Sequence, residues 1–403
     1  MPELRTIAPM IASVLLLSST HPALGAAAEG PVVDLPEEDE PFHGSTPHYS
    51  HRPSKTIVGG YGELHYNYAK EEDADEGSAG VDLHRLIIYV GHEFTPGLRF
   101  SSEIEIEHTL AGDDLPGEVA VEQAYVDYEV FDRALAIRAG LMLVPMGIVN
   151  QWHEPPLFNG VERPMVDKLI VPSTWREPGI GIALSPAEEW RFELYAMSGL
   201  DAAGFSLKNG IRKGRQGGAK AVADGLAFTG RLEHEPLPGA VFGLSGYFGS
   251  AGANAGLDID VPVAGGTLDA RYKKRGIEAR AEVASFSIGD TEELRLTDGG
   301  NGPDVASRIV GFYGEVGYDL LARSDRSEAL VPFLRYEHYD TASSLDGRDK
   351  TAGDEAYAVD DVVVGLSFRP VPQVAFKGNA TIRQKGGVAK GETLVDLGVG
   401  FMF

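Results

Sequence analysis

The chain lacks cysteine, has few basic residues for its size and contains no long apolar run. None of its 403 residues is Cys, which excludes disulfides, thiolate metal sites and cysteine nucleophiles. Asp and Glu number 60 against 35 Lys and Arg, and the net charge of −25 argues against nucleic acid as a partner. No segment provides the roughly 18 consecutive apolar residues of a membrane-spanning helix. An exported helical membrane protein is therefore excluded.

The N-terminus has the pattern of an export signal. The apolar run from Ile7 to Leu17 follows Arg5, and small residues come after it. This run is too short for a membrane anchor, which needs about 20 apolar residues. We expect a signal peptide over residues 1–25, an acidic and disordered periplasmic tail over 26–54, and a folded domain over 55–403.

Apolar and polar residues alternate with a period of two from residue 56 onward. Ile104 and Ile106, for example, alternate with Glu103, Glu105 and Glu107. Successive side chains of a strand point to opposite faces, so each such segment has one apolar and one polar side. The pattern predicts sixteen strands, near residues 56–68, 81–94, 98–108, 119–131, 134–143, 178–184, 190–197, 225–234, 239–249, 261–272, 276–288, 305–319, 329–340, 357–369, 373–383 and 392–403.

Short and long connections alternate between the predicted strands. The long ones are polar and rich in Gly, and they span residues 69–80, 109–118, 144–177, 198–224, 250–260, 289–304, 341–356 and 384–391. A soluble β-sandwich also has alternating strands, but its Greek-key crossovers do not give this regularity. The sequence therefore predicts an all-β fold: a transmembrane antiparallel β-barrel of about sixteen strands, with long external loops and short periplasmic turns. Polar side chains would face a water-filled lumen and apolar ones the lipid.

Several segments are similar to those of a known family. The most specific is the stretch from Gly140 to Leu184, with the run PMGIVNQWHEPPLFNGVERPMVDKLIVPSTW, and GGYGELHYN, EIEIEH and PFLRYEHYDT are similar too. These segments resemble phosphate-selective porins of the porin O/P family and their uncharacterised relatives. The resemblance implies a sixteen-stranded, usually trimeric porin that passes solutes through the outer membrane. The best-known members carry phosphate along ladders of Arg and Lys, whereas one strand here has a row of three Glu.

The longest connection, residues 144–177, is the third long loop. It contains Trp152 and Trp175, and such apolar bulk favours packing against a wall over exposure to water. The resemblance implies that this loop folds into the lumen and narrows it. Charges of both signs across a narrow gap orient a hydrated solute, although they could equally pin the loop by salt bridges. The candidate pore-lining residues are Glu154, Glu162, Arg163, Lys168 and Arg176 of the loop region, together with Arg85, Glu103, Glu105, Glu107 and Arg138 of the strands.

The fourth long loop, residues 198–224, is basic. It could collect anions, bind acidic lipopolysaccharide or simply face solvent. Its cationic side chains are Lys208, Arg212, Lys213, Arg215 and Lys220.

No catalytic residue, metal ligand or cofactor is predicted. His153 and Glu154 do not belong to an HExxH motif, and there is no GxSxG elbow. We expect a porin of the Gram-negative outer membrane that lets small hydrophilic solutes or ions diffuse, with lipid and lipopolysaccharide around it. The alternative is a barrel enzyme or adhesin with a plugged lumen. The Glu row predicts weak cation preference or little selectivity rather than strong phosphate binding.

Overall fold

Sixteen β-strands form one closed antiparallel barrel. The computed structural model describes residues 56–112, 115–130, 134–324 and 326–403, so the predicted signal peptide and acidic tail lie outside the described residues. The strands are Thr56–Glu71 (β1), Ser78–Thr95 (β2), Leu98–Glu107 (β3), Val119–Val130 (β4), Leu135–Leu143 (β5), Arg176–Ala187 (β6), Trp190–Ser198 (β7), Leu226–Leu237 (β8), Ala240–Ser250 (β9), Pro262–Lys274 (β10), Ile277–Ile288 (β11), Arg308–Tyr318 (β12), Ala329–Ser344 (β13), Ala358–Val371 (β14), Val374–Lys385 (β15) and Glu392–Met402 (β16).

Each strand pairs with its neighbours in sequence, and β1 closes the barrel against β16. Because the number of strands is even, the first and last strands begin and end at the same rim. That rim also holds the short turns, such as Pro96–Gly97, where the positive φ of 86° at Gly97 requires a residue without a Cβ. The predicted fold, a sixteen-stranded antiparallel barrel, is confirmed.

The barrel buries its polar side chains and exposes its apolar ones. Along β9, Phe242 and Leu244 are 53% and 51% exposed, whereas the next residue, Ser245, faces inward and is 3% exposed. On β8, Phe228 points outward and Arg231 is buried. A soluble protein has the opposite arrangement. An apolar outer band around a polar interior is the arrangement that lipid requires.

The long connections begin and end at the other rim, and two of them contain short α-helices. Helix α1 spans Thr291–Gly300 and α2 spans Ala352–Glu355. In the part of the chain that the structure describes, no helix is long and apolar enough to cross a membrane. One turn at the short-turn rim, residues 319–328, is longer than the others.

The third loop ends earlier than the sequence suggests. Leu143 pairs with Arg176, so β6 begins at Arg176 rather than near residue 178 and the loop spans residues 144–175. Arg176 is therefore a strand residue and not a loop residue as predicted. Alternation is hard to recognise there because Arg176 and Pro178 occupy the positions in register with the outward-facing Ile180 and Ile182.

Candidate functional site in the barrel lumen

The third loop lies inside the barrel. Its first residues turn inward at Gly147, which has a φ of 69° and where a Cβ would lie 2.6 Å from Oε1 of Glu282. Beyond this turn, Trp175 packs against Tyr247 and Phe286, with ring centroids 4.8 Å and 6.2 Å apart. The loop and the inner wall thus share an apolar cluster on one side of the lumen.

Charged and polar residues of the wall bind the backbone of this loop. Glu282 of β11 accepts a hydrogen bond from Ile148 N at 2.8 Å, and Glu337 of β13 accepts one from Met165 N at 2.5 Å. Cationic side chains donate to loop carbonyls, with Arg85 Nη2 2.6 Å from His153 O, Arg280 Nη2 2.9 Å from Leu157 O and Lys377 Nζ 2.9 Å from Gly160 O. Buried backbone groups must find partners, and here inward-facing strand residues supply them.

A cavity of about 60 Å³ lies on the long-loop side of the third loop. Six of the ten residues that the sequence proposed as pore lining surround it: Arg85, Glu105, Glu107, Glu162, Arg163 and Lys168. The sequence missed other residues of the lining, namely Glu63, His65, His84, Val161, Ser173, Thr174 and Arg212. Inward-facing polar positions on β1 and β2 were the available signal for Glu63, His65 and His84, and the basic composition of the fourth long loop was the signal for Arg212.

Part of the charge around this cavity is paired. Arg85 Nε lies 2.6 Å from Oε1 of Glu63. His65 lies 3.2 Å from both Glu63 and Glu162 and so joins the wall to the loop. Burial would raise the pKa of Glu162, but its hydrogen bond to His65 and the charges of His65 and Lys168 lower that pKa to about 2. Glu162 therefore stays ionised at neutral pH.

Three charged side chains of the lining are not held in this way. Among the described residues, the side chains of Glu107, Arg163 and Lys168 have no hydrogen-bond or ion-pair partner, and all three are only partly buried. Arg212 contacts Lys168 through the backbone oxygen of the latter, at 2.8 Å. Charges without a protein partner are available to an ion or solute in the cavity.

The other four proposed residues lie elsewhere. Arg176 approaches Glu105 at 4.0 Å, beside the cavity. Glu103 is buried, and its Oε2 lies 3.9 Å from Nε2 of His153. Glu154 follows His153 in the loop and is half-buried. Arg138 forms a two-pronged ion pair with Asp127, at 2.7 Å and 2.9 Å, away from the cavity lining.

A second cavity, of about 40 Å³, lies on the opposite side of the third loop. Trp152 and Leu157 of the loop form its ceiling, and its wall contains Arg271, Lys273, Glu278, Arg280 and Arg369. Lys273 and Glu278 flank the short turn between β10 and β11, so this cavity opens toward the short-turn rim. The third loop therefore separates two spaces of the lumen.

Two groups of side chains have donor atoms close enough to hold a metal ion. Asp82, His84 and His108 form a half-buried group near the long-loop rim, where Oδ2 of Asp82 lies 3.4 Å from His84 Nδ1 and 2.5 Å from His108 Nδ1. Glu103, Glu122 and His153 form a fully buried group where the third loop meets β3 and β4. The sequence suggested neither group.

A closed sixteen-stranded barrel with an apolar outer face, a charged lumen and an inward third loop is a porin-type barrel. No family model matches the chain. An uncharacterised protein of Aquifex aeolicus is 37% identical over 363 residues, covering 86% of this chain and 80% of that protein. The chain belongs to the same family as this Aquifex protein.

Solved outer-membrane proteins share the fold at low sequence identity. The outer membrane channel DcaP of Acinetobacter baumannii is 13% identical, with a TM-score of 0.57, over 86% of this chain and 97% of its own. OmpF of Salmonella typhi has the same TM-score and coverages at 11% identity. The anion-selective porin of Comamonas acidovorans is 13% identical, with a TM-score of 0.52, over 86% and 99%. These similarities concern the fold.

Proposed function

We propose that the protein is an outer-membrane porin through which small hydrophilic solutes and ions diffuse passively. The observation that supports this most is the cavity of about 60 Å³ beside the third loop, with its unpartnered Glu107, Arg163 and Lys168. A lumen that served only to hold the barrel together would have its charges paired, as those of Arg85 and Glu63 are.

The charge of the cavity supports weak ion selectivity. Four carboxylates line it, and four Lys or Arg side chains oppose them, so the formal charge is balanced apart from His65, whose charge lies between Glu63 and Glu162. The lining residues with charge are Glu63, Glu105, Glu107, Glu162, Arg85, Arg163, Lys168 and Arg212. A ladder of cations suited to phosphate would lack these carboxylates, so we expect no strong phosphate preference.

The same proposal implies where each part of the chain lies in the cell. Residues 1–25 would direct export, residues 26–54 would lie in the periplasm, and residues 55–403 would form the barrel in the outer membrane of a Gram-negative cell. Lipid and lipopolysaccharide would contact the apolar outer face and the basic loop. We expect a homotrimer, as the resemblance to porins of the O/P family implies.

Conductance of the purified barrel in a planar bilayer tests the proposal. Folded protein should give discrete channels in KCl, with a zero-current potential near zero in a salt gradient. The third loop is bonded to several strands and could close the lumen as a plug. A folded barrel that never conducts would therefore favour the alternative, an enzyme or adhesin with a plugged lumen. Block by micromolar phosphate together with strong anion selectivity would contradict the charge argument.

A further inference from the structure

A buried group of acidic and imidazole side chains lies where the third loop meets the barrel wall. Glu103 of β3, Glu122 of β4 and His153 of the loop are 4%, 0% and 1% exposed. His153 Nε2 lies 3.2 Å from Glu122 Oε1 and 3.9 Å from Glu103 Oε2. One donor atom from each residue lies within 4.8 Å of the others. Such distances suit ligands that share one ion.

The hydrogen bond at the other nitrogen of His153 orients the ring. Nδ1 lies 3.1 Å from the carbonyl oxygen of Asn150, and a carbonyl only accepts, so Nδ1 is the donor. In the neutral imidazole, Nε2 then carries no proton, and its lone pair is directed at the carboxylate of Glu122. Two acceptors that face each other at 3.2 Å repel unless a proton or a cation lies between them. A backbone carbonyl on the second nitrogen is also the usual way in which proteins fix a metal-binding histidine.

Three of the four carboxylate oxygens of this group lack a hydrogen-bond partner in the described part of the chain. Both side-chain oxygens of Glu122 and Oε2 of Glu103 are buried without a hydrogen-bond partner. The neighbouring guanidinium of Arg85 supplies part of the positive charge, but it is bound through Nε to Glu63 and through Nη2 to the carbonyl of His153, each at 2.6 Å, and only Nη1 is left unbound. A buried and unpaired carboxylate costs several kcal/mol. A positive ligand at this position would remove that cost.

We propose that Glu103, Glu122 and His153 form a binding site for a divalent transition-metal cation, which fastens the third loop to the barrel wall. Carboxylate oxygens with one imidazole nitrogen suit Zn²⁺ and related ions, whereas Ca²⁺ takes oxygen ligands alone. The ion would join β3 and β4 to the loop at His153. This proposal does not depend on which solutes the lumen passes.

Zinc binding by the purified, folded full chain tests the site. After chelator treatment, Zn²⁺ is titrated into the wild type and into Glu122→Gln, with calorimetry and metal analysis as readouts. We expect at least tenfold weaker binding in Glu122→Gln. Glu107→Gln is the matched control, because it makes the same change on the inner wall but in the cavity, and its affinity should equal that of the wild type. Asp82→Asn alters the half-buried group of Asp82, His84 and His108, so it shows whether that group contributes to the measured zinc binding.

X-ray absorption at the zinc edge of the wild type gives a second readout that needs no variant. One imidazole and oxygen ligands at about 2.0–2.2 Å are expected. His153→Asn should remove the imidazole signal, and the heat-dependent gel shift of a folded barrel checks each variant. Absence of zinc uptake by the stripped wild type, or equal affinity in Glu122→Gln, would overturn the proposal. A zinc spectrum with two or more imidazoles would assign the metal to His84 and His108 instead.

Discussion

Reversing the charge of Lys168 should make the channel cation-selective. Lys168 lies on the short π-helix Val166–Ile170 of the third loop, and its side chain lines the cavity of about 60 Å³ without a partner among the described residues. Lys168→Glu changes the local charge by two units. Because the lining of the wild type is balanced to within the one charge of His65, this change of two units leaves a net negative constriction.

The size of the effect follows from Coulomb's law. An ion in a cavity of this size passes about 7 Å from the side chain, where one unit charge is worth about 0.6 kcal/mol in water. Two units act with opposite sign on a cation and an anion, so the difference between them is about 2.4 kcal/mol. Screening at 0.1 M salt, with a Debye length of about 10 Å, halves this to about 1.2 kcal/mol. Since 1.4 kcal/mol is a factor of ten, the permeability ratio should change roughly sevenfold.

The zero-current potential in a tenfold KCl gradient measures this ratio. We expect it to shift by roughly 30–40 mV toward the cation limit, which is about 59 mV for such a gradient. Lys390→Glu is the control, because it changes the charge equally on an exposed loop away from the cavity lining. If the two variants shift the potential equally, or if Lys168→Glu leaves it unchanged in a conducting channel, Lys168 does not line the path of the ions.

Three further expectations concern the loop, the topology and the lipid face. Deletion of residues 152–172 should raise single-channel conductance because the third loop separates the two cavities, and unchanged conductance in a folded variant would show that it does not limit flow. A protease site inserted in 345–357 should be cut on intact cells, whereas one in 372–373 should not, and the reverse result would contradict the orientation. Leu244→Arg should lower the free energy of unfolding in lipid by about 2–4 kcal/mol. Leu320→Arg at the rim should lower this free energy by only about 0–1 kcal/mol, and urea titration of both variants measures the difference.

The strands could be predicted because their side-chain period is independent of tertiary context. Along β9, each second side chain is exposed, as the sequence pattern requires. The strand ends were less predictable. β13 extends to Ser344, four residues past its predicted end, because Asp340 and Ala342 are buried beneath loops and no longer alternate between lipid and lumen.

The site could be predicted only in part, since alternation gives the face of a residue and not its height in the barrel. Glu105 and Glu107 reach the cavity as expected, whereas Arg138, on an equally polar face, binds Asp127 instead. Height depends on strand tilt and stagger, which no single strand encodes. The pairing of His153 with Glu122 depends further on the path of a 32-residue loop, residues 144–175. Sequence spacing contains no signal for such a contact.

The charged side chains inside the barrel have two separate roles, and the hydrogen bonds distinguish them. Glu282 and Glu337 accept from loop backbone, and Arg280 donates to it, so these side chains hold the third loop inside the barrel. They are committed to the loop and are poorly placed to contact a solute. Lys168 and Glu107 lack such bonds and face the cavity. Substitutions of the first set should therefore alter loop position and conductance, whereas substitutions of the second set should alter selectivity at nearly constant conductance.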